Sequence, residues 1–261
     1  MKTIVITPAR YASTRFPGKP LAKLGGREII LRVMDRIAEA GYPGVVATDD
    51  ERIFTTVKDA GYLAVMTRSD HQSGTDRVCE ALDRIESLTG EKYDVVINVQ
   101  GDEPFIDPEQ IHDLEQCFED ASTDIATLGR VYPATSTYAG LADPNLVKLV
   151  KSPSGRALYF SRSVIPYLRG VKEQEWPRCH KFFTHIGIYG YRSDTLREIS
   201  ALPKSPLETE ESLEQLRWLE NGYNIKVAES EKENIGIDTP EDLANAEMIM
   251  QKSFGEKGKI S

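Results

Sequence analysis

The stretch KTIVITPARYASTRFPGKP, residues 2–20, decides the fold. It opens on KTIVIT, a β-branched apolar run of strand length, and passes into PARYASTRFPGKP, where prolines and a glycine break regular structure. In an open parallel sheet, ligands bind beyond the carboxyl ends of the strands, and this loop starts at such an end if KTIVIT is the first strand. Arg15 and Lys19 would offer phosphate oxygens a forked and a point positive charge, beside exposed backbone amides. The spacing matches neither G-x-x-x-x-G-K-[ST] nor G-x-G-x-x-G. Taken alone, the loop reads equally as a phosphate cradle or as a solvated basic surface.

The surrounding charge makes the loop conspicuous. The chain has 261 residues, with 32 Lys and Arg against 41 Asp and Glu, a net charge of -9. Lys2, Arg10, Arg15, Lys19, Lys23 and Arg27 all fall in residues 1–27, which hold no acid. An acidic protein with one short basic segment is a poor duplex nucleic-acid binder, since those present a broad basic face. A small anionic substrate fits better. Cys79, Cys117 and Cys179 are widely spaced and form no CxxC pair, so neither a disulfide framework nor a zinc site is signalled. The apolar run in MKTIVIT is too short for a signal peptide, and no stretch approaches transmembrane length. A cytoplasmic protein without membrane association is expected.

Outward from residue 20 the pattern alternates short apolar runs with amphipathic stretches, the rhythm of βαβ units. A helix is predicted over Glu28 to Ala40, a strand at GVVAT, a helix over Glu51 to Ala60, a strand at YLAVM, and a helix carrying Val78, Ala81, Leu82 and Ile85. DVVINV reads as a strand buried on both faces. Asp107, Pro108 and Gln110 then read as N-cap, first helical residue and capping-box partner. From about residue 131 the texture changes. LVKLVKSPSGRALYFS reads as two strands joined by the SPSG turn, KFFTHIGIYGYR as a strand, and LETEESLEQLRWLENG as one helix with Leu213, Leu216 and either Trp218 or Leu219 on its packed side. Residues 161–181 have no regular pattern. NIKVA and GIDTPEDLANAEMIM return to the first texture, with Thr239 capping and Pro240 starting a last helix, and residues 252–261 read as a flexible tail.

Three further segments carry polar groups suited to chemistry. In NVQGDEP, residues 98–104, Asp102 and Glu103 follow the buried strand and so emerge on the same sheet edge as the cationic loop. Magnesium prefers oxygen ligands, and one or two carboxylates together with substrate phosphates commonly hold it. Asp238 in GIDTPED is a second carboxylate, although helix capping explains that motif equally well. In SDHQSGTDR, residues 69–77, Ser73, Gly74 and Arg77 would face a base or a phosphate, while His71 reads as a hydrogen-bonded loop histidine rather than an acid or base. His185, Tyr189, Glu214 and Gln215 form a set able to hydrogen-bond a polyhydroxylated molecule, or to support the fold.

Taken together, PARYASTRFPGKPL, TRSDHQSGTDR, INVQGDEP, RALYFSRSVIP, HIGIYGYR, SPLETEESLEQLRWLENG and GIDTPEDL, in this order and spacing, resemble the 3-deoxy-manno-octulosonate cytidylyltransferases over nearly the whole chain. The resemblance implies an α/β fold: a Rossmann-like nucleotide-diphospho-sugar transferase core with a mostly parallel sheet, and a smaller antiparallel and helical region. Residues 1–130 would be the CTP-binding core, 131–230 the sugar-acid-binding and dimerisation region, and 231–251 a return to the core. It also implies a homodimer, CTP and 3-deoxy-D-manno-octulosonate (Kdo) as substrates, magnesium as cofactor, and CMP-Kdo for bacterial lipopolysaccharide synthesis as the product.

Carried over motif by motif, Arg10, Arg15 and Lys19 would lie along CTP, with Ser73, Gly74 and Arg77 completing its pocket. Asp102 and Asp238 would hold magnesium. Gln100, Arg162, His185, Tyr189, Glu214 and Gln215 would surround Kdo. No such role extends to Lys23, which reads as surface. In the implied reaction the anomeric hydroxyl of Kdo attacks the α-phosphorus of CTP, and Arg15 and Lys19 stabilise the departing pyrophosphate. Two rivals stay open on sequence: a cytidylyltransferase for another acidic sugar, such as 8-amino-Kdo or a sialic acid, and a non-catalytic nucleotide-binding protein.

Overall fold

In the computed structural model, residues 1–12, 14–232 and 234–257 are described, with the backbone alone for 252–257. The chain divides into two compact units, one formed by Met1–Ile111 and the segment from Asn234 onward, the other by His112–Glu233.

The first unit is built on β1 (Thr3–Ala9), a two-stranded ribbon of β2 (Lys23–Leu24) and β3 (Arg27–Glu28), then α1 (Ile29–Glu39), β4 (Gly44–Thr48), α2 (Glu51–Asp59), β5 (Leu63–Met66), α3 (Gly74–Thr89) and β6 (Val95–Asn98). Its sheet runs β6-β1-β4-β5, and every pair is parallel. Parallel strands covered on both faces need continuous apolar sequence. IVI of β1 and VVI of β6 supply it: Ile4, Val5, Ile6, Val95, Val96 and Ile97 are all buried. Each such side chain contributes roughly 2 kcal/mol on burial. The helical spacing predicted for α3 is realised, with Val78, Ala81, Leu82 and Ile85 all buried.

α4 (Pro108–Gln116) follows, and its N-terminus is capped as predicted. Asp107 Oδ1 accepts from the Glu109 amide at 3.0 Å, and Gln110 Oε1 accepts from the Asp107 amide at 3.2 Å. The division between the units falls within this helix, earlier than the boundary expected at residue 130. The texture change near residue 131 marks where strands turn antiparallel, not where the compact units part.

The second unit comprises β7 (Ile125–Val131), α5 (Tyr138–Leu141), β8 (Lys148–Lys151), β9 (Ala157–Ser161), α6 (Trp176–Cys179), β10 (Phe183–Arg192), α7 (Ser193–Ser200), α8 (Pro206–Glu211), α9 (Glu214–Glu220) and β11 (Ile225–Glu229). β7, β10, β8 and β9 pair antiparallel in that order, and β11 lies parallel to β7. The SPSG turn joins β8 to β9 as read. The segment 161–181, without pattern in the sequence, is organised by Trp176, which is buried with Leu141 and Phe182 and meets the Tyr138 ring edge-on at 5.4 Å.

One expectation needs correction. LETEESLEQLRWLENG is not one helix: it breaks at Ser212, whose φ of 50° is left-handed, into α8 and α9. The break lets Leu213, Leu216 and Trp218 all reach the core, whereas Leu219 is only half-buried. The last helix, α10 (Pro240–Lys257), covers the first six residues of the segment read as a flexible tail. Residues 258–261 of that expectation lie outside the described residues. Thr239 and Asp242 cap this helix reciprocally: the Asp242 amide donates to Thr239 Oγ1 at 3.1 Å and the Thr239 amide to Asp242 Oδ2 at 2.9 Å. Among the described residues, no helix is long and apolar enough to cross a membrane.

Candidate functional site

The first unit carries a cleft of about 330 Å³ at the carboxyl ends of its strands. Its lining comes from the loop after β1, the loop between β5 and α3, the segment after β6, and Asp238. The sequence-predicted residues Arg10, Arg15, Lys19, Ser73, Gly74, Arg77, Gln100, Asp102 and Asp238 all face it.

The loop after β1 is shaped by Gly18 and Tyr11. Gly18 has φ of 74°, a conformation that costs residues other than glycine, and a Cβ there would stand 3.0 Å from the Tyr11 ring. The Gly18 amide donates to the Tyr11 carbonyl at 2.9 Å, and the Arg52 guanidinium of α2 stacks 3.3 Å from the Tyr11 ring centre. The turn thus closed delivers Lys19 into the cleft. The segment after β6 approaches just as closely: a Cβ on Gly101 would lie 3.0 Å from the Pro8 carbonyl oxygen. Only glycine lets Asp102 turn in toward the β1 loop at that distance.

Lys19 is the centre of the charged network. Its Nζ donates to Asp102 Oδ2 at 2.5 Å and to Asp238 Oδ1 at 3.0 Å, and Arg15 Nη2 reaches Asp238 Oδ2 at 3.1 Å. The Ile237 amide donates to the Asp102 carbonyl at 2.9 Å, fastening the two carboxylate-bearing segments together. Burial by itself would lower the Lys19 pKa. The charges and hydrogen bonds of Asp102 and Asp238 outweigh it and hold the ammonium above its ordinary value. Lys23 is exposed and pairs only loosely with Glu28, as its surface reading requires.

Next to Asp102 stands Glu103, which the sequence places at the same strand end without a role of its own. Burial pushes the Glu103 carboxyl up to about 7, with the Asp102 and Asp238 charges adding to the rise. Asn234 Nδ2 donates to Glu103 Oε2 at 3.3 Å, and Asn234 Oδ1 accepts from Gln110 Nε2 at 2.8 Å. No local spacing announces this chain, because Glu103 and Asn234 are 131 positions apart.

Around the remaining wall, Arg77 is held by Thr67 Oγ1 at 2.6 Å and Asp49 Oδ2 at 3.4 Å, and Gln100 Nε2 donates to Asn98 Oδ1 at 3.1 Å. Ser73 caps α3 in a reciprocal box with Asp76. Thr14, His71 and Gln72 also line the cleft.

The other predicted residues lie in the second unit. His185 packs against Phe160 and Tyr189, with ring centres 5.1 and 5.3 Å away, and its Nε2 pairs with Thr127 Oγ1 at 2.9 Å. Burial pushes this imidazole down to about 3, so it is neutral at ordinary pH. Burial likewise raises the Tyr189 phenol well above its usual value, helped by Tyr191 and by the Glu214 charge. Gln215 is buried on α9, and Glu214 Oε1 accepts from Arg217 Nη2 at 2.6 Å. Arg162 directs its guanidinium to backbone carbonyls: Glu211 at 2.6 Å, Pro144 at 2.8 Å and Ser212 at 3.3 Å. Its place in the structure is that of a brace for the end of α8.

Divalent-cation chemistry can be tested against the first unit's donors. Among the described residues no group of three or more His, Cys, Asp and Glu is arranged to hold a metal. Two carboxylates already gathered around a positive charge, with no sulfur or nitrogen ligand, do suit a hard cation that completes its shell with water and substrate phosphates. The arrangement fits magnesium better than zinc.

Comparison with known proteins gives the family. The family model described as cytidylyltransferase matches residues 4–227. The chain is 53% identical over 251 residues to the 3-deoxy-manno-octulosonate cytidylyltransferase of Bacteroides thetaiotaomicron, covering 96% of this chain and 99% of that protein. It is 52% identical over 256 residues to the enzyme of the same name from Phocaeicola vulgatus, covering 98% and 100%. The solved structure of a CMP:2-keto-3-deoxy-manno-octonic acid synthetase complexed with CTP superposes with a TM-score of 0.87 at 40% identity, covering 97% of this chain and 100% of that one. With a family model matching residues 4–227 and relatives more than half identical over nearly its whole length, the chain belongs to the cytidylyltransferase family.

Proposed function

We propose that this protein transfers CMP from CTP to the anomeric hydroxyl of Kdo, giving CMP-Kdo and pyrophosphate, in the cytoplasm and with magnesium as cofactor. The observation that carries the reading is the meeting of Asp102, Asp238 and Lys19 in a cleft that Arg10 and Arg15 also line. The relatives' names and the CTP of the solved relative supply the nucleotide and the sugar acid.

The anomeric oxygen bonds to the α-phosphorus as the bond to pyrophosphate breaks on the opposite side, and the hydroxyl proton is released. No covalent bond to the protein is needed, so the chain's part is positioning and electrostatics. Arg10, Arg15 and Lys19 bind the triphosphate, and Ser73, Gly74 and Arg77 border the nucleotide. Lys19 uses two of its three N–H donors on the carboxylates and can turn the third to a phosphate oxygen. Asp102 and Asp238 would hold magnesium, which when bound neutralises developing charge on the phosphates and lowers the pKa of an oxygen it binds.

We assign recognition of the sugar acid to the second unit's His185, Tyr189, Glu214 and Gln215, with Arg162 acting through its backbone contacts. The same unit is the proposed dimerisation region, and CMP-Kdo for lipopolysaccharide synthesis is the proposed product use. A panel of Kdo, 8-amino-Kdo and a sialic acid, each with CTP and magnesium, tests the substrate. Pyrophosphate release with the highest kcat/KM on Kdo is expected. Preference for either of the others would replace the sugar, and release with none would revive a binding-only protein.

A further inference from the structure

His71 has a partner on α3 that no motif announces. Its Nε2 shares a hydrogen bond with Glu80 Oε2, and the same oxygen accepts from the backbone amide of Arg68 at 3.0 Å. The other carboxylate oxygen, Oε1, takes Arg84 Nε at 2.7 Å and Arg84 Nη2 at 2.6 Å. One carboxylate on the second turn of α3 therefore gathers both the start and the middle of the loop that precedes its own helix. That loop forms one wall of the cleft: His71, Gln72, Ser73 and Gly74 all line it.

The remaining attachments of this loop are at its ends or on its surface. The Thr67 amide is tied to the Thr48 carbonyl at 2.8 Å, and Ser73 is fixed by the capping box. Between them stand an exposed Arg68–Asp70 ion pair at 3.2 Å and a local bond from Gln72 Nε2 to the Asp70 carbonyl at 3.0 Å. Exposed pairs of this kind contribute little. The His71–Glu80 contact is different: the two side chains are 6% and 17% exposed, so water competes weakly for it. Burial would raise the Glu80 carboxyl, yet the Arg68 amide, His71 and Arg84 together pull it down to about 2, so it stays an ionised acceptor.

We infer that Glu80 is a positioning residue of the nucleotide site, holding the 68–73 loop through His71 and the Arg68 amide in the form that receives the nucleotide. The inference rests on the reading of the cleft as the CTP site. Arg84 serves as an internal control, because its removal takes one partner from the same carboxylate and leaves both loop contacts intact.

The test compares Glu80→Gln, His71→Ala, His71→Gln and Arg84→Ala with the wild type, by steady-state kinetics and by hydrogen exchange of the backbone amides of 68–74. Glu80→Gln and His71→Ala are expected to raise the KM for CTP about tenfold, the size of a lost charge-assisted hydrogen bond. Values of kcat at saturating CTP and KM for Kdo should stay within about twofold, since the loop acts on nucleotide binding alone. His71→Gln, whose Nε2 can replace the imidazole donor, should recover part of the loss, and Arg84→Ala should match the wild type. Exchange should quicken in the first two variants only. Unchanged exchange in Glu80→Gln overturns the anchoring. Faster exchange with an unchanged KM for CTP overturns the link to the nucleotide, as does an equal defect in Arg84→Ala. A wild type that binds no CTP by calorimetry overturns the reading of the cleft instead, and the exchange data still decide whether Glu80 anchors the loop.

Discussion

Lys19 Nζ lies 2.5 Å from Asp102 Oδ2, although 83 positions separate the two residues in the chain. Asp238, 219 positions beyond Lys19, completes the group at 3.0 Å. An ammonium between two carboxylates cancels their repulsion and holds the two segments at one point of the cleft. The consequences of that arrangement can be measured.

Replacing Lys19 by Ala removes the ammonium that joins Asp102 to Asp238 and leaves Arg15 as the cation beside Asp238. Asp238 is half exposed, so the stability cost is about 1–2 kcal/mol rather than that of a fully buried charge. The apparent affinity for CTP should fall far more than that for Kdo. A melting series with and without magnesium should show a larger rise for Lys19→Ala than for the wild type, because the cation then replaces the missing ammonium. Equal rises would mean that the carboxylates do not form the cation site.

Gly18→Ala places a Cβ in left-handed backbone 3.0 Å from the Tyr11 ring. A loss of about 1–2 kcal/mol in urea unfolding is expected, together with a raised KM for CTP, because the strained turn carries Lys19. A variant as stable and as active as the wild type would show that the loop's form is not what sets the Lys19 position.

His185 makes the fold sensitive to acid. Its pKa is about 3 in the folded protein against an ordinary 6.5, so between those values the unfolded chain binds more protons. Its contribution is present above pH 6.5 and is lost as pH falls toward 3, at up to about 1.4 kcal/mol per pH unit. His185→Gln should flatten the decline in urea-unfolding free energy from pH 6.5 to pH 5. Glu80 adds a separate loss further down, as pH falls from 4.5 toward 2. An unchanged slope in His185→Gln would show that the imidazole is not held neutral.

Much of this was legible in the sequence because it is local. Apolar runs such as IVI and VVI state that a strand is buried on both faces, and Asp107-Pro108 and Thr239-Pro240 announce helix starts through their own side chains. The position of the cleft followed from the strand-end rule once KTIVIT was read as a strand. What escaped was set by packing at long range. Ser212 breaks a strongly helical pattern because Leu213, Leu216 and Trp218 must all reach one core, a demand that the period of the sequence does not contain. Glu80 bonds Arg84 one turn along the same helix, while its grip on His71 depends on how the loop folds back over α3. Glu103 and Asn234 meet only because the last segment returns to β6.

The most direct measurement is pyrophosphate release from CTP and Kdo, with and without magnesium, by the wild type and by Asp102→Asn side by side. The wild type should release one pyrophosphate for each CMP-Kdo formed, only when both substrates and magnesium are present. Asp102→Asn should retain its fold by circular dichroism, since its side chain stands at a partly exposed strand end, while turnover falls by about a hundredfold or more. Near-normal release by Asp102→Asn, or release by the wild type that does not depend on magnesium, would contradict the account.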